Sequence, residues 1–244
     1  MIQDGLKQEN KIISAFLMIG QSNMAGRGEL SDVPPIDNPD CFMLRMGRWQ
    51  RLHEPVNPDR GIFEGEFHSG VSLGSSFADE ASRLFGKVGM IPCADGGTRI
   101  DQWMPGEVLY DHAVMMTGLA MRTSCLRGIL WHQGESDCSS DIGVDAYRDK
   151  FLRMMTSLRN DLGLPDLPVV IGELSEEITG RWGVGDRPVR FNRILHGIAE
   201  ELPHCGIVSV KGLTLKPDGI HFDAASQREL GKRYFEVYRS LTEK

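Results

Sequence analysis

Apolar and polar positions along the chain fall into two alternating patterns. Short runs at Ile12–Ile19, Val88–Ala94, Gly128–His132, Pro168–Gly172 and Gly206–Val210 are apolar or β-branched for most of their length and end at glycine or polar residues. That is how parallel strands buried on both faces read. Longer amphipathic segments lie between them: Ser75–Phe85, Val108–Met121, Val144–Leu162, Val189–Leu202 and Ser226–Leu241. In the third of these, Tyr147, Phe151, Met154, Met155, Leu158 and Leu162 recur at three- and four-residue steps, one face of a helix. Strand–helix alternation predicts an α/β chain with a parallel sheet covered on both faces.

Gly26–Ser72 breaks the rhythm. Its prolines and glycines predict a long irregular excursion with a short strand near Phe42–Met46, the kind of loop that covers or shapes a site. No internal repeat, linker or low-complexity run divides the 244 residues, so residues 1–244 are expected to form one domain.

Composition narrows the function classes. With 41% hydrophobic and 25% charged residues the chain is ordinary for a globular protein, which excludes disorder, collagen and coiled coil. The balance of 27 Lys+Arg against 34 Asp+Glu gives −7, which disfavours nucleic acid and suits a neutral or cationic small substrate. The five cysteines form no C-x-x-C pair and are expected as buried free thiols in a reducing compartment. Ile12–Ile19 is far shorter than the roughly 20 residues that span a bilayer, and it lacks a basic flank. Membrane association is not expected, and a cytoplasmic location is. Oligomeric state is not legible in the sequence.

Ligands of open α/β sheets bind beyond the carboxyl ends of the strands, and polar clusters collect there. Gly20-Gln21-Ser22-Asn23-Met24-Ala25-Gly26 follows the first strand. It puts a serine on a tight turn, where backbone N–H groups can face a developing oxyanion. It is neither a G-x-S-x-G elbow nor a P-loop, and a lone serine at a strand end is more often a helix cap. Asp218-Gly219-Ile220-His221-Phe222 precedes the last helix. The three-residue spacing lets the carboxylate reach Nδ1 and leaves Nε2 to take a proton from a hydroxyl, or the pair can simply stabilise the loop. Trp131-His132-Gln133-Gly134-Glu135-Ser136-Asp137 follows the third strand, where the Gln133 amide could donate to an oxyanion and Glu135 could orient its neighbours. Gly96-Gly97-Thr98-Arg99-Ile100-Asp101-Gln102-Trp103 follows the second, and Arg99 and Trp103 suit a polar, ring-shaped substrate. The remaining histidines, His53, His68, His112, His196 and His204, show no matched partners and read as surface or packing residues.

Taken in order, Gly20-Gln21-Ser22-Asn23, His132-Gln133-Gly134-Glu135 and Asp218-Gly219-Ile220-His221 resemble the SGNH hydrolases. The closer resemblance is to the sialate O-acetylesterase and acetyl xylan esterase group, carbohydrate esterase family 6, over about Phe16 to Tyr234. It implies a flavodoxin-like three-layer α/β/α fold and a serine esterase that removes acetyl groups from a carbohydrate without metal or cofactor. Ser22 would be the nucleophile, His221 the base and Asp218 its orienting acid, with Glu135 an alternative acid. The oxyanion hole would comprise the Ser22 N–H, the Gly97 N–H and the Gln133 amide, with Gln21, Asn23, Arg99 and Trp103 as possible substrate contacts. Acetylated xylan or its oligomers is the first substrate expected, other acetylated sugars the second and O-acetylated sialic acid the third. The lack of an export signal favours imported oligosaccharides.

Two rival readings use the same residues. His132, Glu135, Asp218 and His221 form a credible ligand set for zinc or iron in a metal-dependent hydrolase. Alternatively, Trp49, Trp103, Trp131 and Trp182 could stack on sugar faces in a non-catalytic binding module.

Overall fold

The computed structural model describes residues 13–59 and 68–243. Ile12, where the first strand was expected to begin, the leader before it and residues 60–67 of the Gly26–Ser72 excursion lie outside the described residues. Among those described, each apolar run forms a strand: β1 Ile13–Gly20, β4 Val88–Pro92, β5 Ser124–His132, β6 Val169–Gly172 and β7 Cys205–Val208. In the excursion, β2 Cys41–Arg45 pairs antiparallel with β3 Arg48–Arg51.

The sheet order is β3-β2-β4-β1-β5-β6-β7, parallel throughout except for β3. Without the β2–β3 hairpin this is the flavodoxin order, which reverses direction at β1. Helices α2 Leu73–Phe85, α3 Val108–Ala120, α4 Asp141–Asp161, α5 Arg187–Glu201 and α6 Ala224–Thr242 follow the expected segments within a few residues; a short turn, α1 Ser22–Ala25, precedes them. Three of the helices start at side-chain caps. Ser72 accepts from Gly74 N, Ser140 from Gly143 N at 3.1 Å and Asp223 from Ser226 N at 2.7 Å.

Alternation along β1 builds two cores. Ala15, Leu17 and Ile19 pack in one cluster with Leu109 and Ala113 of α3, Tyr147 and Phe151 of α4, and Phe191 and Leu195 of α5. Phe16 and Met18 pack in the other with Phe77 of α2 and Leu230 and Tyr234 of α6. Phe16 meets Phe77 at 4.8 Å and Tyr238 at 5.0 Å, both edge to face. Burying each such ring contributes about 1.5–3 kcal/mol. The result is a three-layer α/β/α sandwich with helices on both faces. All five cysteines are free thiols, four of them buried and Cys125 half-buried. Among the described residues no helix is long and apolar enough to cross a membrane.

Candidate active site

Three loops at the carboxyl edge of the sheet converge beside the point where the strand order reverses. β1 ends at Gly20, whose φ is +136° and where a Cβ would lie 2.2 Å from the His132 carbonyl oxygen. Only glycine lets β1 stay paired with β5 to its last residue and then turn at once. Ser22 opens the turn α1, so its N–H has no intrahelical acceptor.

The last loop brings His221 onto this serine. His221 Nε2 is 2.9 Å from Ser22 Oγ, and Nδ1 is 2.9 Å from Asp218 Oδ2. Nδ1 faces a carboxylate and therefore carries the proton, which leaves Nε2 to accept from the serine hydroxyl. Asp218 Oδ1 also accepts from the N–H groups of Ile220 at 3.1 Å and His221 at 3.0 Å. Burial alone would raise Asp218, but hydrogen bonds from the backbone and ring of His221 and from Ile220 outweigh it and hold the carboxyl below its usual range. Burial lowers His221; Asp218 opposes this, and the nearby charges of Arg27 and Lys216 add to it. The imidazole is therefore neutral near pH 7, the form a base requires. Ser22 is 5% exposed, while the His221 and Asp218 side chains are 22% and 41% exposed, so the site opens on the histidine side.

On the other side of the serine stands the Gly96-Gly97 turn. A Cβ on Gly96 would lie 3.6 Å from Ser22 Cβ and 2.5 Å from an Arg27 guanidinium nitrogen, so this backbone closes tightly on the nucleophile turn. Gly97 is exposed, and its N–H makes no hydrogen bond among the described residues. Arg99 sits at the rim and donates to Ser139 Oγ at 3.1 Å.

The structure places other expected contacts differently. Gln133 is fully buried; its Nε2 donates to Asp137 Oδ2 at 2.6 Å, to Thr98 O at 2.9 Å and to Gln21 Oε1 at 3.2 Å. Both amide hydrogens are thus committed, and Gln133 shapes the Gly97–Arg99 turn where an oxyanion donor was expected. Gln21 and Asn23 are each 1% exposed, too deep to touch substrate. Gln21 Oε1 accepts from the N–H groups of Gly134 and Ser136, both at 3.3 Å, joining the β1 and β5 loops. Trp103 is 1% exposed, bonded to Thr98 Oγ1 and packed edge to face on buried Trp131 at 5.4 Å. Neither ring can stack on a sugar. Trp49 bonds Thr123 Oγ1 at 3.2 Å, and Trp182 packs partly buried against the core.

The ligand set of the metal reading separates into two pairs. Asp218 and His221 bond each other at the surface, while His132 and Glu135 are buried beneath. Among the described residues no three His, Cys, Asp or Glu side chains are grouped to hold a metal. His132 Nδ1 donates to Tyr234 Oη at 3.0 Å, which donates to Trp131 O at 2.8 Å, and burial pushes the ring down to about 3. Burial pushes Glu135 up to about 7, against the lowering effect of its hydrogen bond from Asn23. Four histidines read as unpartnered have partners: His196 meets Glu173 at 2.7 Å, His68 meets Asp59 at 3.2 Å, His53 meets Glu54 O at 3.5 Å and His204 meets Asp166 at 3.9 Å.

Arg27 and Lys216 also belong to the site, although no motif in the sequence marks them. Lys216 Nζ donates to Arg27 O at 2.8 Å and to Glu29 Oε1 at 2.7 Å, and both cations act on His221. Only the position of Arg27, five residues after the serine, could have pointed to it.

The family model for carbohydrate esterase, sialic acid-specific acetylesterase matches residues 13–240. A probable carbohydrate esterase of Arabidopsis thaliana is 32% identical over an alignment of 245 positions that covers 92% of this chain and 90% of the plant protein. The crystal structure from that plant locus superimposes with a TM-score of 0.82 at 28% identity, over 93% of this chain and 98% of that one. Two solved structures of lower identity share the fold. NanS has a TM-score of 0.77 at 17% identity, over 96% of this chain and 98% of its own. An acetyl-xylooligosaccharide esterase from Geobacillus has 0.54 at 14%, over 93% and 96%.

Proposed function

The chain belongs to the carbohydrate esterase, sialic acid-specific acetylesterase family and is a carbohydrate acetylesterase, and from that premise we propose that it works as a serine esterase through an acetyl-Ser22 intermediate. The observation that carries this reading is the hydrogen-bonded chain Ser22–His221–Asp218, with both ring nitrogens at 2.9 Å. His221 Nε2 takes the Ser22 proton as Oγ attacks the acetyl carbonyl, and Asp218 holds the imidazolium that forms. The N–H groups of Ser22 and Gly97 receive the oxyanion, each contributing about 3–4 kcal/mol. The sugar alcohol leaves with the proton from His221. Water, deprotonated by His221, then attacks the acetyl-serine and releases acetate.

Acetylated xylo-oligosaccharide is the substrate we assign first. Support comes from a site open on its histidine side and from the fold shared with the Geobacillus enzyme. A second reading, O-acetylated sialic acid, is favoured by the family description and by Arg27 beside the Gly96 backbone that closes on the serine. A cation there suits a substrate carboxylate. Acetate release from acetylated xylo-oligosaccharides, O-acetylated sialic acid and p-nitrophenyl acetate, by wild type and Ser22→Ala, tests both. The serine reading expects turnover that is lost in Ser22→Ala and unaffected by EDTA; full activity in a folded Ser22→Ala protein contradicts it. A higher kcat/KM on the sialic acid ester replaces the first substrate with the second.

A further inference from the structure

One buried carboxyl has no step in that mechanism. Glu135 is 1% exposed, three residues after the end of β5, and its Oε1 accepts from Asn23 Nδ2 at 2.5 Å. The second hydrogen of the same amide goes to Ile220 O at 3.1 Å, and Asn23 Oδ1 accepts from Phe222 N at 3.1 Å. Asn23 therefore follows the nucleophile and grips the backbone on both sides of the base. Its own carbonyl accepts from Gln227 Nε2 of α6 at 3.1 Å, which anchors the grip from below.

We propose that Glu135 is a positioning residue that acts through Asn23 to keep His221 Nε2 within reach of Ser22 Oγ. The proposal rests on the serine-esterase reading above. The physical reason lies in the symmetry of an amide. Turned over, Asn23 would present its oxygen to Ile220 O and its NH2 to Phe222 N–H, repulsive on both sides. Glu135 opposes that flip, because a carboxylate oxygen accepts from the NH2 and repels the oxygen. Without it one amide hydrogen is left unpaired in a buried site, and the side chain is free to rotate. A carboxyl is a costly group to bury, and here burial pushes it up to about 7. Its bond to Asn23 crosses 112 residues and ties the loop after β5 to the turn that carries the nucleophile, which is what a clamp requires.

The role is distinct from a triad acid. Among its described hydrogen bonds, His221 Nδ1 meets Asp218 and not Glu135. Glutamine at 135 would keep an oxygen for Asn23 without a charge, so the variants separate the roles. For Glu135→Ala we expect kcat on p-nitrophenyl acetate to fall roughly tenfold to a hundredfold, because small misplacements of reacting groups are that costly. KM should stay within about twofold, since no substrate contact is removed. Glu135→Gln should recover most of the loss. Asn23→Ala should resemble Glu135→Ala, and the double variant should be no worse than either, since both remove one linkage. Wild-type kcat in Glu135→Ala, equal impairment of Glu135→Gln and Glu135→Ala, or multiplying losses in the double variant would each overturn the proposal. If Glu135→Ala does not fold, undiminished kcat in Asn23→Ala overturns it instead. Ser22→Ala serves as the control: activity surviving there removes the serine reading itself, whereas inactivity there with an unimpaired Glu135→Ala removes only the clamp.

Discussion

His221 Nε2 stands 2.9 Å from Ser22 Oγ across 199 residues of sequence. The contact closes because β1 and the last loop open onto the same edge of the sheet, and because Asp218 holds the far side of the imidazole. Replacing Asp218 with Asn keeps the shape but lets Nδ1 accept a hydrogen bond, which puts the proton on Nε2. We expect kcat for p-nitrophenyl acetate to fall by about 10³–10⁴-fold with folding unchanged, the cost of the wrong tautomer. A loss below tenfold would show that Asp218 does not orient the base.

The acid limb of the pH profile should report His221. Burial first, then Arg27 and Lys216, disfavour the imidazolium against the support of Asp218, so the net shift is downward from 6.5. Activity needs the neutral ring, so kcat/KM should rise with pH and level off, with its midpoint below 6.5. Removing a cation favours the imidazolium. Arg27→Gln should therefore move that midpoint to higher pH, and a midpoint that moves down or stays contradicts the assignment.

Much of this was legible because the signals are local. Apolar runs are strands here because both faces of a parallel sheet are buried, and Asp218 and His221 pair across three residues. β3 was not legible, because Arg48-Trp49-Gln50-Arg51 is a polar edge strand with no apolar run to announce it. Gln133 was misread for a different reason. Its amide partners, Asp137, Thr98 and Gln21, come from three loops that only the fold assembles. Trp103 and Trp131 carry the same ambiguity, since an aromatic ring suits a sugar face and a core equally well. The Asn23 grip on Ile220 and Phe222 spans nearly the whole chain and leaves no local mark.

Gly20 should tolerate no side chain. Alanine there would put Cβ 2.2 Å from a backbone oxygen at a φ of +136°. Backbone cannot give way as a flexible side chain can, so we expect Gly20→Ala to destabilise by about 3 kcal/mol or more. Urea unfolding monitored by circular dichroism measures this, and a change within about 0.5 kcal/mol would mean that the strand end is looser than described.

The buried carboxyls set a slope in stability. Burial pushes Glu135 up to about 7 and Asp137 up to about 6 from 4.5 and 3.8. A carboxyl raised on folding stabilises the protein below its unfolded value, and that contribution is lost as pH rises through the folded value. Glu135→Gln cannot ionise. Relative to wild type, its unfolding free energy should therefore improve between about pH 5 and pH 8, judged by urea titrations at each pH. A flat difference would place the Glu135 carboxyl at an ordinary value.

The most direct measurement is to mix the enzyme with p-nitrophenyl acetate, quench in acid before turnover completes, and map acetyl groups by peptide mass spectrometry. An acetyl group should appear on Ser22, absent from Ser22→Ala and discharged by water in wild type as acetate appears. Steady turnover with no acetylated peptide, or with the acetyl group on another residue that Ser22→Ala still labels at full activity, would contradict the acetyl-Ser22 intermediate.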